Sequence, residues 1–207
     1  MDNIFLKKGY KVIEINLGDE DLIAKSFEEY VKENDIKPDP TADLVSPLPI
    51  NVLLEPAASK VHRERLTSIV EKETELELFP TFCYTRKYFK GSTLLPHLDQ
   101  NACEISLSYC ISGPEWEFNI MGENDSIAIT KVGNGIIYKG CEIEHGRLKP
   151  SSDEIIQVFN HWITLDNLKN QFHELCSRYN MNPKEVLKTL SGGLSLIWES
   201  ASLARMR

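Results

Sequence analysis

The sequence predicts a mainly β domain, either a barrel or a sandwich, with helices at both ends of the chain. From Leu76 onwards, short runs rich in β-branched and aromatic residues alternate with glycine-containing turns, as in the segments EISLSYCI, EWEFNIM and EIIQVFNHWI. Runs separated by turn signals roughly every 8–12 residues are typical of all-β folds. The 207 residues, 42% apolar and 26% charged, are enough for one globular domain with an appendage.

The regions on either side of this β segment have the periodicity of helices. Residues 19–34 begin with acidic residues and carry one apolar stripe, formed by Leu22, Ile23, Phe27, Tyr30 and Val31. The next stretch, 35–50, should be irregular because it contains four prolines. A second helix is predicted from about residue 57 to 73, and helices return at Asp166. We therefore divide the chain into a domain of residues 1–165 and a helical extension of residues 166–207.

Charge and cysteine usage exclude several classes of protein. The net charge of −8, from 23 basic and 31 acidic residues, argues against a nucleic-acid partner, because such binding depends on clustered Lys and Arg. No apolar run approaches the roughly 18 residues of a membrane span, and the start lacks the features of a signal peptide. The five cysteines form no CxxC pair. Reduced thiols in a cytoplasmic protein are the expected state.

The β segment contains a combination of residues that could hold a metal ion. His97 and Asp99 are two positions apart at the end of a predicted strand, so their side chains point the same way. His145 closes a later strand-and-turn unit, with enough chain between for four strands to return to the same barrel mouth. Two imidazoles and one carboxylate on one face of an octahedron leave three positions open. This is the ligand set of non-haem Fe(II) oxygenases.

At this point the chain resembles a known family, the Fe(II)- and 2-oxoglutarate-dependent dioxygenases, in their prolyl-4-hydroxylase-like branch with its bacterial and phage-type members. The segments that carry the resemblance are YFKGSTLLPHLD, CEISLSYCISG, IIYKGCEIEHGR and QVFNHWI, within roughly residues 80–163. The resemblance implies a double-stranded β-helix (a cupin-like jelly roll) and hydroxylation driven by Fe(II), 2-oxoglutarate and O2. Carried over by position, His97, Asp99 and His145 become the catalytic iron ligands.

One feature of that family is missing here. Its members usually carry a Lys or Arg about ten residues after the second His, and this residue binds the distal carboxylate of 2-oxoglutarate; the corresponding stretch, 153–157, reads DEIIQ. The family's co-substrate-binding Tyr lies nine residues before the first His, which is the spacing of Tyr88. Period two places Arg86 and Tyr84 on the same inward face of that strand. Our hypothesis is that Arg86 replaces the missing anchor, with Tyr88 and Tyr84 donating hydroxyls.

Two other residues compete for the same role. Arg147 lies two residues after His145, and it could instead face the substrate or pair with Glu104 on a neighbouring strand. Gln157 could hydrogen-bond a carboxylate, although more weakly than a guanidinium. One of the pair Asn160 and His161 should face the barrel interior, and the sequence does not decide which.

The expected activity is hydroxylation of an amino acid, a peptidyl residue such as proline, or a small metabolite. A cupin-like metal-dependent isomerase or lyase that does not use 2-oxoglutarate is the alternative, and the missing basic residue favours it. A non-enzymatic interaction module is a third reading. In that reading the apolar C-terminal residues, including Leu194, Leu196 and Trp198, dock a partner or form a homodimer.

Overall fold

The computed structural model describes residues 3–52, 57–122, 126–170 and 177. Its helices are α1 (Ile4–Lys8), α2 (Glu20–Glu33) and α3 (Ala57–Thr74). The first five strands are β1 (Tyr10–Glu14), β2 (Val45–Ser46), β3 (Ile50–Val52), β4 (Leu78–Tyr88) and β5 (Thr93–His97). The last of them ends at the candidate ligand His97. The later strands are β6 (Ile105–Ser112), β7 (Trp116–Ile120), β8 (Ser126–Thr130), β9 (Asn134–Tyr138), β10 (His145–Arg147) and β11 (Ile155–Thr164).

The strands form two antiparallel sheets. The large sheet has six strands in the order β1-β9-β6-β11-β4-β3, and the small sheet has five in the order β2-β5-β10-β7-β8. Strands that are distant in sequence are therefore neighbours, as β5 and β10 are. The predicted mainly β architecture with flanking helices is confirmed.

Strand β6 shows why the two sheets enclose a polar interior. Its Leu107, Tyr109 and Ile111 belong to the apolar core that the large sheet shares with the helices. Successive strand residues point to opposite faces, so Ser106, Ser108 and Cys110 turn towards the small sheet. The interior between the sheets thus receives small and polar side chains from this strand, which leaves room for a site.

Helices α2 and α3 begin and end within two residues of the predicted limits. On α2, Phe27 is buried and Ile23, Tyr30 and Val31 pack against the same core. Leu22 is the exception to the predicted stripe, because it is 66% exposed. The short helix α1 and the edge strand β1 were not predicted. Strand β1 extends the large sheet by pairing with β9, and α1 is capped by the side chain of Asn3.

Residues 165–170 are helical, as the sequence predicts after the last strand. The rest of the predicted C-terminal extension and its proposed dimer contact lie outside the described residues, apart from Ser177. None of the described helices is both long enough and apolar enough to cross a membrane.

Candidate metal centre and cationic pocket

The strand pairing brings the two candidate histidine ligands together. His97 ends β5 and His145 begins β10, and the two residues are direct partners in the antiparallel register. Their ring centroids are 4.5 Å apart. Asp99 follows His97 by two residues, and its backbone N–H donates to the carbonyl of Gly140 at 2.8 Å. All three side chains therefore meet where the C-terminal end of β5 lies beside the N-terminal end of β10.

The two imidazole rings are oriented so that one nitrogen of each faces the shared carboxylate. Nδ1 of His97 lies 2.9 Å from the carbonyl oxygen of Leu95, and Nδ1 of His145 lies 2.9 Å from that of Ile143. A carbonyl only accepts, so each Nδ1 carries the proton and each Nε2 presents its lone pair. These Nε2 atoms lie 3.5 Å and 3.6 Å from Oδ1 of Asp99.

The donor set and its geometry fit a divalent iron ion. The three ligand atoms all lie within 4.8 Å of one another. Two neutral imidazoles and one carboxylate on a single face are the facial arrangement that leaves positions open on Fe(II). The hydrogen bonds from Nδ1 to backbone carbonyls are the outer contacts that orient histidine ligands in metal sites.

Asp99 is held by a second set of contacts on its other oxygen. Oδ2 accepts a hydrogen bond from the Ser106 hydroxyl at 2.8 Å. Gly140 approaches so closely that a Cβ there would overlap Oδ2 of Asp99 and the carbonyl oxygen of Cys103. Burial acts to raise the pKa of Asp99, but its contact with His97, the nearby imidazoles of His145 and His161 and the hydrogen bond from Ser106 outweigh burial and lower that pKa to about 2. The carboxylate is therefore ionised and ready to bind a cation.

His161 is the member of the undecided pair that reaches this interior. Its Nδ1 lies 2.9 Å from the Ser106 hydroxyl, which in turn contacts Asp99. The ring stacks on Tyr84 with a centroid distance of 5.9 Å. Burial lowers the pKa of His161 to about 4, so the imidazole is neutral near pH 7. In the sequence, the alternation of Ser106 and Ser108 with large apolar residues in β6 could have indicated the polar surface that His161 contacts.

Arg86 lies on the inward face of β4, as predicted, among aromatic rings. Its guanidinium carbon is 5.2 Å, 5.5 Å and 5.6 Å from the ring centroids of Tyr84, Tyr88 and Phe159. Nη1 donates to the Tyr88 hydroxyl at 3.3 Å, and Nε donates to Asn51 at 2.7 Å. In the part of the chain that the structure describes, no carboxylate forms an ion pair with this guanidinium.

Arg147 points into the same interior from the small sheet and is only 1% exposed. Its guanidinium packs over Trp116 and donates to neutral acceptors, namely the carbonyl of Glu117, the hydroxyls of Thr130 and Ser108, and Oε1 of Gln157. The suggested pairing with Glu104 is wrong, because that carboxylate accepts from Thr164 and Asn167 instead. Burial lowers the pKa of Arg147.

Gln157 stands on β11, directly opposite Arg86 in the register of the large sheet. Its Oε1 accepts from Ser108 and Arg147, each at 3.1 Å. Its Nε2 is buried and has no hydrogen-bond partner among the described residues. A buried donor without an acceptor is costly, so this amide is suited to an anionic ligand. The two arginines, Gln157 and the Tyr88 hydroxyl together form what we call the cationic pocket.

Comparison with known proteins identifies the architecture. No family model matches the sequence, and no curated protein does. Solved structures match clearly. The prolyl-4-hydroxylase of Pseudomonas putida has a TM-score of 0.62 at 11% identity, covering 76% of this chain and 94% of that one. This chain has the double-stranded β-helix fold of the 2-oxoglutarate–Fe(II) oxygenases.

Two further structures with this fold contain bound ligands. A prolyl hydroxylase from Trichoplax adhaerens, in complex with a hypoxia-inducible factor peptide fragment, has a TM-score of 0.62 at 10% identity and covers 78% of this chain and 86% of that one. HygX from Streptomyces hygroscopicus, with nickel, 2-oxoglutarate and hygromycin B bound, has a TM-score of 0.57 at 14% identity and covers 77% and 84%. The predicted jelly roll is thereby confirmed. In this double-stranded β-helix, the candidate metal centre lies at the paired ends of β5 and β10 in the small sheet, and the cationic pocket lies between the two sheets.

Proposed function

We propose that this protein is a non-haem oxygenase that depends on Fe(II) and 2-oxoglutarate, with His97, Asp99 and His145 as its metal ligands. The observation that carries the proposal is that the ligand atoms of two imidazoles and one carboxylate lie within 4.8 Å of one another, with the two Nε2 atoms 3.5 Å and 3.6 Å from Oδ1 of Asp99. Fe(II), 2-oxoglutarate and O2 would together supply the oxidising chemistry, with succinate, CO2 and a hydroxylated substrate as products. The chain's own residues would hold the ligands in place and exclude water.

The cationic pocket supports 2-oxoglutarate as the co-substrate. Two guanidiniums that form no ion pair with any described carboxylate would be costly unless a ligand brought negative charge between them. Arg86 is the better candidate for the distal carboxylate. Among the described residues, Arg86 uses only Nε and Nη1 in hydrogen bonds, whereas both terminal nitrogens of Arg147 are engaged. Tyr88 and Gln157 would add neutral donors, and Tyr84 would form part of the wall.

For the substrate we propose an amino acid, a peptidyl residue such as proline, or a small metabolite. Two proteins of this fold support that range, since one binds a peptide fragment and the other hygromycin B. The second candidate function is a metal-dependent isomerase or lyase that does not use 2-oxoglutarate. It is favoured by Gln157, which occupies the last strand where a basic residue is expected in the family.

The experiment that separates the two functions is an anaerobic titration. We expect Fe(II) followed by 2-oxoglutarate to produce the visible charge-transfer band of a chelate, and succinate to appear when air is admitted.

Arg86→Met should raise the Michaelis constant for 2-oxoglutarate by about tenfold or more, because a charge-assisted contact is lost. Arg65→Met, on an exposed position of α3, is the control.

The titration tests the type of reaction, and the Michaelis constant of the variant tests the role of Arg86. If the band and succinate are both absent at saturating iron, the isomerase or lyase becomes the better proposal. An unchanged Michaelis constant in Arg86→Met would refute the anchor assignment and leave the metal site intact.

A further inference from the structure

The side chain of Asn51 connects Arg86 to a carboxylate outside the cationic pocket. Asn51 lies on β3 and is the direct register partner of Arg86 on β4. Its Oδ1 accepts from Arg86 Nε at 2.7 Å, and its Nδ2 donates to Oδ2 of Asp39 at 2.6 Å. These two contacts require opposite ends of the amide, so together they determine its orientation.

Asp39 is itself held rigidly within the proline-rich segment. Its Oδ1 accepts from the backbone N–H and the hydroxyl of Thr41, at 2.9 Å and 2.6 Å. Its own N–H donates to the carbonyl of Pro49 at 2.8 Å. Burial acts to raise the pKa of Asp39, but the hydrogen bonds from Thr41 and Asn51 and the charge of Arg86 outweigh it and lower that pKa. The end of the connection is therefore an anion.

This arrangement leaves the reactive edge of Arg86 available. A carboxylate paired directly with the guanidinium in bidentate fashion would occupy at least one of the terminal nitrogens that a ligand carboxylate needs. Here the counter-charge acts through Asn51 on Nε alone. Among the described residues, Nη1 contacts only the Tyr88 hydroxyl and Nη2 makes no hydrogen bond. Hence the guanidinium of Arg86 is held in one orientation and its charge is partly balanced by Asp39, while its terminal nitrogens stay available to a ligand.

We propose that Asp39 and Asn51 are positioning residues that orient Arg86 for the distal carboxylate of the co-substrate. This inference rests on the proposed function, and it gives the proline-rich segment a role in co-substrate affinity. Neither residue contacts the candidate metal ligands, so metal binding should not depend on them. Binding of the co-substrate should depend on both.

The test uses the full-length protein loaded anaerobically with Fe(II) and titrated with 2-oxoglutarate. We expect Asn51→Leu to raise the dissociation constant about tenfold, because Arg86 loses the acceptor that orients it. Asp39→Ala should raise it by a smaller factor, about threefold, because Asn51 then loses one of its two constraints. In both variants the dissociation constant for Fe(II) and the rate at saturating 2-oxoglutarate should stay at the wild-type values.

Two control variants separate positioning from general destabilisation. Asn119→Leu removes a buried strand amide that, among the described residues, accepts from the backbone N–H of Leu148 and makes no hydrogen bond with Arg86, Asn51 or Asp39. Thr41→Val removes one hydroxyl contact to Asp39 but keeps its carboxylate on Asn51. Both controls should bind 2-oxoglutarate like the wild type.

An NMR measurement keeps the inference testable if Asn51→Leu does not fold. The Nε–H of Arg86 should exchange slowly with solvent in the wild type and faster in Asp39→Ala. Wild-type affinity in Asn51→Leu, or unchanged exchange in Asp39→Ala, would overturn the positioning role while the proposed function stands. If the wild-type protein itself shows no 2-oxoglutarate-dependent band, the proposed function fails and the inference falls with it.

Discussion

Asp99 joins the candidate metal centre to the barrel interior because its two carboxylate oxygens have different partners. Oδ1 faces the two histidine Nε2 atoms, and Oδ2 is held by the Ser106 hydroxyl. The position of Oδ1 therefore depends on residues that do not touch the metal. Gly140 is the tightest of these contacts, since it lies against Oδ2.

We predict that Gly140→Ala weakens metal binding by about 10–100-fold, because the added methyl group displaces the carboxylate. Isothermal titration with Fe(II) or Co(II) measures the effect. Gly135→Ala is the matched control: its Cβ would meet mainly the flexible ends of Leu107 and Ile15, which can move. Equal metal affinity in Gly140→Ala and the wild type would show that Asp99 does not need this close approach.

At the scale of the elements, helix α2 shows which parts of an apolar stripe contribute to stability. The helix covers the outer face of the large sheet, and Phe27 is 6% exposed whereas Leu22 is 66% exposed. Both residues belong to the stripe predicted from the sequence. Only contact with the sheet distinguishes them, since the stripe on a helix wheel is wider than the surface that the sheet covers.

This difference predicts unequal costs of truncation. Phe27→Ala should lower the free energy of unfolding by about 3–5 kcal/mol, because it leaves a cavity between helix and sheet. Leu22→Ala should change it by less than about 0.5 kcal/mol, as expected for an exposed position. Urea denaturation of both variants checks the prediction. Similar losses in the two variants would mean that α2 packs through a different face.

On the scale of the whole molecule, the fold encloses polar side chains between its two sheets, and clusters of buried apolar residues pack around them. His161 is buried there in its neutral form, with a pKa of about 4 against an ordinary value of 6.5. The unfolded chain therefore binds a proton between these values that the folded chain does not. The contribution of His161 to the free energy of unfolding is therefore fully present above pH 6.5 and is lost as the pH falls towards 4.

We predict that the metal-free protein loses at most about 3 kcal/mol of unfolding free energy through His161 between pH 6.5 and 4. His161→Gln should reduce the slope of stability against pH in this window, because glutamine does not titrate. Denaturation curves in the presence of a chelator, measured at several pH values, give both slopes. Parallel slopes would show that His161 is not responsible for the pH dependence.

The class of fold and the residues that could bind a metal were predictable from patterns along the chain. Alternating strands with regular turns indicate a β barrel or sandwich, and the spacing in HLD puts His97 and Asp99 on one side of a strand; the third candidate ligand, His145, was assigned with the help of the family resemblance. The same local rule, period two along β4, placed Arg86 and Tyr88 on one face. These statements depend on chain geometry within a few residues, which is why they could be made from the sequence.

The contacts that connect these residues could be identified only in the folded chain. The contact between Asn51 and Arg86, the choice of His161 over Asn160, and the neutral surroundings of Arg147 depend on register between strands far apart in sequence. A one-residue change in register would turn each side chain to the other face. Since register is set by packing of the whole barrel, no single segment of the sequence contains it.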